Sequence, residues 1–478
     1  MFLIKINQES YEYDIHALIK AFYPEENVRV LVEGISAERA EEPFSMEVHV
    51  GESEARILFL GKEHIWQHRE SEGKFKDGFK RYFYQMLCDE LGEILPWGNL
   101  TGIRPTKIAY QMLEEGKSEA QIADFMRDRH FVSQEKIDLS IDIAKRERQL
   151  LSRIHYEGGY SLYIGIPFCP TTCLYCSFTS YPILAYRKTV EQYVDCVIRE
   201  MEYVSEAYAG KILDSVYIGG GTPTTLEAVQ LDHLIGRLKE LFDFAEVKEF
   251  TVEAGRADSI TEEKLAVLKK HGVTRISINP QTMKQETLEV IGRRHTVEQV
   301  EEAYKLARSM GFVNINMDII LGLPGETAED VQETIHRISA LDPDSLTVHS
   351  LAIKRASKLN QWIAEHGIRA LNNTDETMRI AAEGARALGM EPYYLYRQKN
   401  MSGNFENVGY ARPGKFGLYN ILIMEEKQTI VALGAGSISK RVYPDGRIER
   451  CENVKDVVLY IEKIDEMIER KRRLFEEM

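Results

Sequence analysis

Apolar and polar residues alternate in four short stretches near the start of the chain, at 2–6, 28–32, 45–50 and 55–60. A two-residue period marks half-buried strands. Over 75–91 the period lengthens, and Phe79, Tyr82, Phe83, Met86, Leu87 and Leu91 fall on one helical face. A breaker-rich loop at 97–106 is followed by helical spacing over 107–153. From Tyr160 the rhythm becomes strand then helix, repeated. The pattern predicts strands at 161–166, 213–218, 248–253, 274–279, 314–320 and 345–350, with helices at 186–206, 227–242, 261–271, 297–310 and 327–341 between them. Such alternation predicts an α/β fold, a parallel sheet joined by right-handed crossovers. Beyond about residue 390 the pattern turns irregular, with strands at 393–397 and 429–433, a glycine-rich loop at 400–416 and a final helix at 453–477.

These changes of rhythm divide the chain into an N-terminal α+β and helical domain at 1–153, a parallel α/β domain at 154–390 and a C-terminal extension at 391–478 that carries a substrate loop and the final helix. Hydrophobic residues make up 44% of the chain, enough to build cores for all of it. The net charge of −15 is shared, −8 in the first 150 residues and −7 in the rest, which argues against a nucleic-acid footprint. No apolar run reaches the roughly 20 residues of a membrane span. The opening Met1-Phe2-Leu3-Ile4-Lys5 turns polar too soon for a signal peptide. The reading is a cytoplasmic protein whose thiols stay reduced.

Three of the six cysteines, Cys169, Cys173 and Cys176, fall within eight residues, spaced C-x3-C-x2-C, directly after the strand at 161–166. Thiolates on one loop converge on a soft metal. A cubane iron–sulfur cluster takes four ligands, so three leave one iron open. A structural zinc site wants four closed ligands, commonly as two pairs, and no second pair is present. A disulfide reading fails on the odd count. The other three, Cys88, Cys196 and Cys451, stand alone and read as small hydrophobes.

The cysteine triplet resembles the signature of the radical S-adenosylmethionine (SAM) enzymes, and the strand ends that follow resemble one branch of them, the oxygen-independent coproporphyrinogen III dehydrogenases (oxidases). The run Gly219-Gly220-Gly221-Thr222-Pro223-Thr224 is similar to that branch's second strand end. The extra N-terminal domain resembles the Gram-positive type. The resemblance implies a partial (βα)6 radical SAM barrel, a [4Fe–4S] cluster on Cys169, Cys173 and Cys176, and SAM held by Tyr163, Tyr175, Gly220, Gly221, Thr222, Glu253, Gln281, Arg293 and Asp318. Within that set Glu253 and Gln281 match polar SAM ligands, Arg293 the arginine that pairs with SAM, Asp318 the ribose contact and Tyr175 the aromatic beside adenine.

The implied reaction is oxidative decarboxylation of two propionates of coproporphyrinogen III to vinyl groups, giving protoporphyrinogen IX for haem biosynthesis. It requires an electron donor such as flavodoxin or ferredoxin. Cations for the propionates are sought among Arg256, Lys354, Arg355, Arg397, Lys399, Arg412 and Lys415, with the late loop folding across the open side of the barrel. Two departures bear on the substrate: Gly165 stands where many catalytic members carry His, and Phe178 where they carry a fourth cysteine. Arg256, after Glu253-Ala254-Gly255, is unlike the family's usual sequence. The rival readings are a haem chaperone of the same branch and a radical SAM enzyme acting on haem.

Overall fold

The computed structural model describes residues 1–24, 26–36, 43–69, 73–102, 104–354, 357–367, 371–398 and 405–475. The chain forms two compact units. One comprises 1–145 with 396–406, the other 146–395 with 407–478.

In the first unit, β1 (Phe2–Ile6), β2 (Val28–Val32), β3 (Met46–Val50), β4 (Glu54–Phe59) and β5 (Lys62–Gln67) form one sheet in the order β2-β1-β3-β4-β5. The strand β1 runs parallel to β2 and β3, and β3, β4 and β5 are antiparallel. The first pairing is parallel because the helix Glu12–Phe22 crosses over between β1 and β2. Helix Phe75–Leu91 buries Phe79, Phe83, Met86 and Leu87 in the same core as Ile4, Ile6, Ile15 and Ile57. Neither β5 nor the helix Glu12–Phe22 follows from the hydrophobic period. The strand β5 is an edge with only Trp66 buried, so its polar positions mask the alternation.

The second unit is built on an eleven-stranded sheet. Its centre is six parallel strands in sequence order: β6 (Gly159–Ile166), then, after the short pair β7 (Phe168–Cys169) and β8 (Tyr181–Pro182), β9 (Ile212–Gly220), β10 (Glu249–Gly255), β11 (Arg275–Ile278), β12 (Ile315–Leu321) and β13 (Ser345–Ser350). Helices follow the predicted rhythm, and their starts are written locally. Thr261, Thr296 and Thr327 each accept a hydrogen bond from the backbone N–H three residues on, which closes an N-terminal turn.

Within these strands one row is apolar and buried, including Leu162, Ile164, Val216, Ile218, Val252, Ile276, Met317 and Val348. The opposite row is polar: register aligns Tyr163 with Tyr217, Tyr217 with Thr251, Glu253 with Ser277, and Asp318 with Thr347. The apolar row packs beneath the helices and the polar row lines the lumen.

The segment after residue 390 is not a separate extension. The strands β14 (Glu391–Tyr396) and β15 (Asn407–Ala411) lengthen the sheet beyond β13, and β16 (Thr429–Leu433) pairs parallel with β6, followed by β17 (Ile438–Val442) and β18 (Ile448–Glu452). The final helix is two, Val457–Glu462 and Ile464–Phe475. They are pinned through Glu200, fully buried, whose carboxylate accepts from Tyr460 Oη at 2.5 Å, Lys471 Nζ at 2.6 Å and Gly434 N at 2.8 Å. Among the described residues, no helix is long and apolar enough to cross a membrane.

Candidate active site at the strand ends of the barrel

The thiols of Cys169 and Cys173 are buried and that of Cys176 is half-buried, and none forms a disulfide. The loop that carries them begins on β7 and returns on β8, and it is tied down at several points. Leu174 N donates to Ile291 O at 3.0 Å, and Thr171 Oγ1 to Gly292 O at 2.8 Å. Burial pushes the Cys169 thiol up to about 11; Thr222 Oγ1, 3.5 Å away, opposes this, and the neighbouring thiols add to it. A thiol held protonated in this way ionises when a metal takes its proton's place. Among the described residues no group of three or more His, Cys, Asp or Glu side chains closes on a single ion.

Glycines at the end of β9 make room for the loop. A Cβ at Gly221 would lie 2.6 Å from Phe168 O and 3.0 Å from Cys169 Sγ. At Gly220, whose φ is +112°, it would lie 2.9 Å from Ile166 N. Gly220 therefore packs against the end of β6, and Gly221 and the buried Thr222 against the ligand loop itself.

Arg256 is 3% exposed and belongs to the same support. Its Nη1 donates to Thr171 Oγ1 at 2.7 Å and to Thr171 O at 3.0 Å, and lies 3.9 Å from Cys173 Sγ. Its Nε and Nη2 hold Asp258 at 3.0 and 2.7 Å, and the buried His295 stands 3.7 Å from the same carboxylate. Arg256 is thus committed to the cysteine loop and is not a propionate cation.

Below the loop, the lumen carries the residues expected for SAM. Glu253 accepts from Tyr217 Oη at 2.5 Å. Burial pushes its carboxyl up to about 7; the Tyr217 hydrogen bond opposes the rise and the Asp318 charge adds to it. Asp318 accepts from Asn316 Nδ2 at 2.6 Å and lies 3.8 Å from His349 Nε2. Burial raises its carboxyl, but His349 and the surrounding hydrogen bonds outweigh that and hold it below its ordinary value. Tyr163, Tyr217 and Tyr419 stack beside Glu253, with ring centroids 4.4 Å apart for Tyr217 and Tyr419, and about 6 Å from Tyr163 to each. Tyr419 reaches this stack from the helix Leu418–Glu425, whose first N–H groups donate to Glu249 at 2.6 and 3.1 Å.

Gln281 has a φ of +68°, held there by its N–H on Asp318 O and its C=O on Ile320 N, both at 2.9 Å. A non-glycine residue in the left-handed region carries strain of a kind found at ligand sites. Arg293 donates from Nη1 to Asn279 O at 2.5 Å and from Nη2 to Tyr175 Oη at 3.4 Å. Among the described residues, three buried atoms in this group have no partner: Asn279 Oδ1, Gln281 Oε1 and Arg293 Nε. Unmet polar atoms of this kind are rare and expensive. Here they gather where a polar ligand is expected, so the residues present fit SAM and a cluster. Sequence reasoning missed Tyr217, His349, Asp258 and His295. Tyr217 was discoverable, since it stands two residues before Gly219 on the lumen side of its strand.

Three other propionate candidates lie elsewhere. Arg397 is buried in the first unit, donating to Leu100 O at 2.7 Å. Arg412 pairs with Asp342 and donates to Leu388 O at 3.0 Å, while Lys415 donates to Val313 O at 2.7 Å. Because β15 runs antiparallel to β13 and aligns Ala411 with Ser345, Arg412 sits at the strand starts, the end of the barrel opposite the cysteine loop. Arg355 and Lys399 lie outside the described residues.

A partial parallel barrel with three thiols on its first loop and an acidic, polar lumen is the architecture of a radical SAM protein, and residues 163–338 match the Radical SAM superfamily. The chain is 40% identical over 416 residues to the oxygen-independent coproporphyrinogen-III oxidase-like protein HemZ of Bacillus subtilis (strain 168), spanning 86% of this chain and 83% of that protein. It therefore belongs to the family of oxygen-independent coproporphyrinogen-III oxidase-like proteins. It is also 36% identical over 195 residues to the heme chaperone HemW of the same organism, 41% of this chain and 51% of HemW. Among solved structures, the coproporphyrinogen III oxidase HemN from Escherichia coli shares the fold, with a TM-score of 0.52 at 24% identity over 67% of this chain and 72% of that one. Membership of this superfamily brings a [4Fe–4S] cluster and SAM as cofactors.

Proposed function

We propose that this protein is an oxygen-independent coproporphyrinogen III dehydrogenase, converting two propionates of coproporphyrinogen III to vinyl groups to give protoporphyrinogen IX. The observation that carries the reading is the gathering of Asn279 Oδ1, Gln281 Oε1 and Arg293 Nε, buried and unpartnered, beside Glu253 and Asp318. Each unmet polar atom costs about 1–3 kcal/mol, so a protein that only stores a ligand elsewhere has no reason to keep all of them. Cys169, Cys173 and Cys176 would hold the cluster; Glu253, Gln281 and Arg293 the amino-acid part of SAM; Asp318 its ribose; Tyr175 its adenine.

When bound, this pair supplies one-electron chemistry able to remove a hydrogen atom from an unactivated carbon. The chain's own work is positional. Tyr217 fixes the Glu253 carboxylate, Arg293 orients Tyr175, and the stacked tyrosines keep water from the lumen floor. Each propionate loses a hydrogen atom, carbon dioxide and one further electron, which a one-electron acceptor takes up. An electron donor of the flavodoxin or ferredoxin type, and a cytoplasmic location, belong to the same proposal.

A haem chaperone is the second reading, favoured by Gly165 and the exposed Phe178 in place of the residues many catalytic members carry. An anaerobic assay with coproporphyrinogen III, SAM and a chemical reductant, read by mass for the loss of two carboxyl groups, separates the two. Decarboxylation is expected. Tight haem binding with no loss of carboxyl groups would overturn the proposal in favour of the chaperone.

A further inference from the structure

With Arg256, Arg397, Arg412 and Lys415 all committed elsewhere, the propionates of the proposed substrate need other partners. One cavity beside the cysteine loop supplies them. It has a volume of about 800 Å³ and is walled by Thr172, Leu184, Glu289, Arg293, Arg294 and Lys358. The size falls within the range of small-molecule sites. Its wall joins loops that follow three different strands, β6, β11 and β13, as binding sites on parallel α/β sheets do.

The charge of this wall is opposite to that of the chain. Three of the named residues are cations and one is an acid, in a protein with 75 acidic and 60 basic side chains. Nearby cations are already satisfied: Arg256 by Asp258, and Lys284 by Asp330 at 2.8 Å. Arg294 and Lys358, both exposed, enter no hydrogen bond or ion pair through their side chains among the described residues. The turn that presents Lys358 also carries Lys354, half-buried and likewise unpartnered, and burial lowers its ammonium below the ordinary lysine value. Arg293, 6% exposed, borders the same wall, its unpartnered Nε being left to the SAM site. Pro170, Pro182 and Leu184 supply an apolar side. Free cations beside an apolar surface match a flat apolar frame that bears carboxylates on its rim.

We propose that this cavity is the carboxylate-recognition site for a tetrapyrrole, with Arg294 and Lys358 each taking a propionate. The inference rests on the dehydrogenase reading for the ligand, and on the cavity alone for the residues. Arginine suits the task because its fork meets both oxygens of one carboxylate.

The test uses the reconstituted full chain with SAM and two air-stable probes followed by fluorescence: coproporphyrin III, with four propionates, and mesoporphyrin IX, with two. Wild type should bind coproporphyrin III more tightly. In Arg294→Glu with Lys358→Glu its affinity should fall by roughly tenfold or more, mesoporphyrin IX should lose less, and iron content should stay normal. Equal coproporphyrin III binding by wild type and double variant would overturn the cavity while leaving the dehydrogenase reading intact. No coproporphyrin III binding by wild type would overturn both. Should the double variant fold poorly, Arg294→Gln and Lys358→Gln singly carry the same comparison, because both residues are exposed and partner-free.

Discussion

Arg256 holds its Nη1 3.9 Å from Cys173 Sγ while its other two guanidinium nitrogens grip Asp258. A fixed cation beside a ligand thiolate favours the more negative, reduced form of a bound cluster. Arg256→Gln is therefore expected to move the cluster potential downward by roughly 40–60 mV, the equivalent of about 1 kcal/mol for one electron. Arg256→Lys should move it less. Redox titration followed by electron paramagnetic resonance measures both, and an unchanged potential with full iron in Arg256→Gln would remove the tuning role.

The three cysteines should account for all of the bound iron. Anaerobically reconstituted protein should hold about four irons, one cubane, and the triple Cys→Ala variant close to none. Normal iron in that variant would place the ligands elsewhere.

Gly221→Ala should act as a partial cysteine variant without touching a ligand. The added Cβ would stand 2.6 Å from Phe168 O, a backbone atom that cannot swing away. Overpacking of this kind costs about 1–3 kcal/mol. Reduced iron retention and a lower melting temperature are the expected readings.

Glu253→Ala and Asp318→Ala should each weaken SAM binding by about 1.5–3 kcal/mol, the range for charged hydrogen bonds, with iron content intact. A pH dependence follows for Glu253, whose carboxyl stands at about 7 rather than 4.5. Below that pH it is protonated and a poor partner for an ammonium group; above it the carboxylate is available. SAM affinity should rise as pH passes upward through 7, and Glu253→Gln should flatten the rise. For folding the sign is the reverse: between 4.5 and 7 the unfolded chain has released this proton and the folded chain has kept it, so stability contributed by the group declines as pH increases. Calorimetric titration of SAM across this range tests the first effect, and urea unfolding the second.

Arg412→Ala should leave SAM and tetrapyrrole binding unchanged and cost at most about 1 kcal/mol, the scale of an exposed ion pair. Arg397→Ala should destabilise the protein more, since it empties a buried position whose guanidinium holds Leu100 O. Loss of tetrapyrrole binding in Arg412→Ala would return this residue to the substrate site.

The barrel was legible in the sequence because six strand stretches alternate with helical spacing and keep that order in the sheet. The cysteine loop was legible from its spacing, whereas Glu253, Gln281, Arg293 and Asp318 were singled out by the family resemblance; Glu253 and Asp318 lie within β10 and β12, and Gln281 and Arg293 in the segment after β11. Arg412 and Arg256 were misjudged for one reason: sequence places a cation near a junction but does not say which end of the strand it occupies or what it already holds. Arg412 follows an antiparallel strand, which returns the chain to the wrong end. Arg256 lies at the right end and is consumed by Asp258 and Thr171. The stretch 400–416 reads as a loop by its glycines and asparagines, and nothing in such composition says that the chain up to Glu406 joins the first unit and the chain from Asn407 the second.

The strand that bears the cysteine loop is completed long after it is itself synthesised. One side of β6 pairs with β9, but the other waits for β16 at Thr429–Leu433, and the helices pinned by Glu200 come later still. A ribosome must pass residue 433 before this foundation can close. A message truncated before β16 would release a chain that carries Cys169, Cys173 and Cys176 but whose iron site has no complete floor.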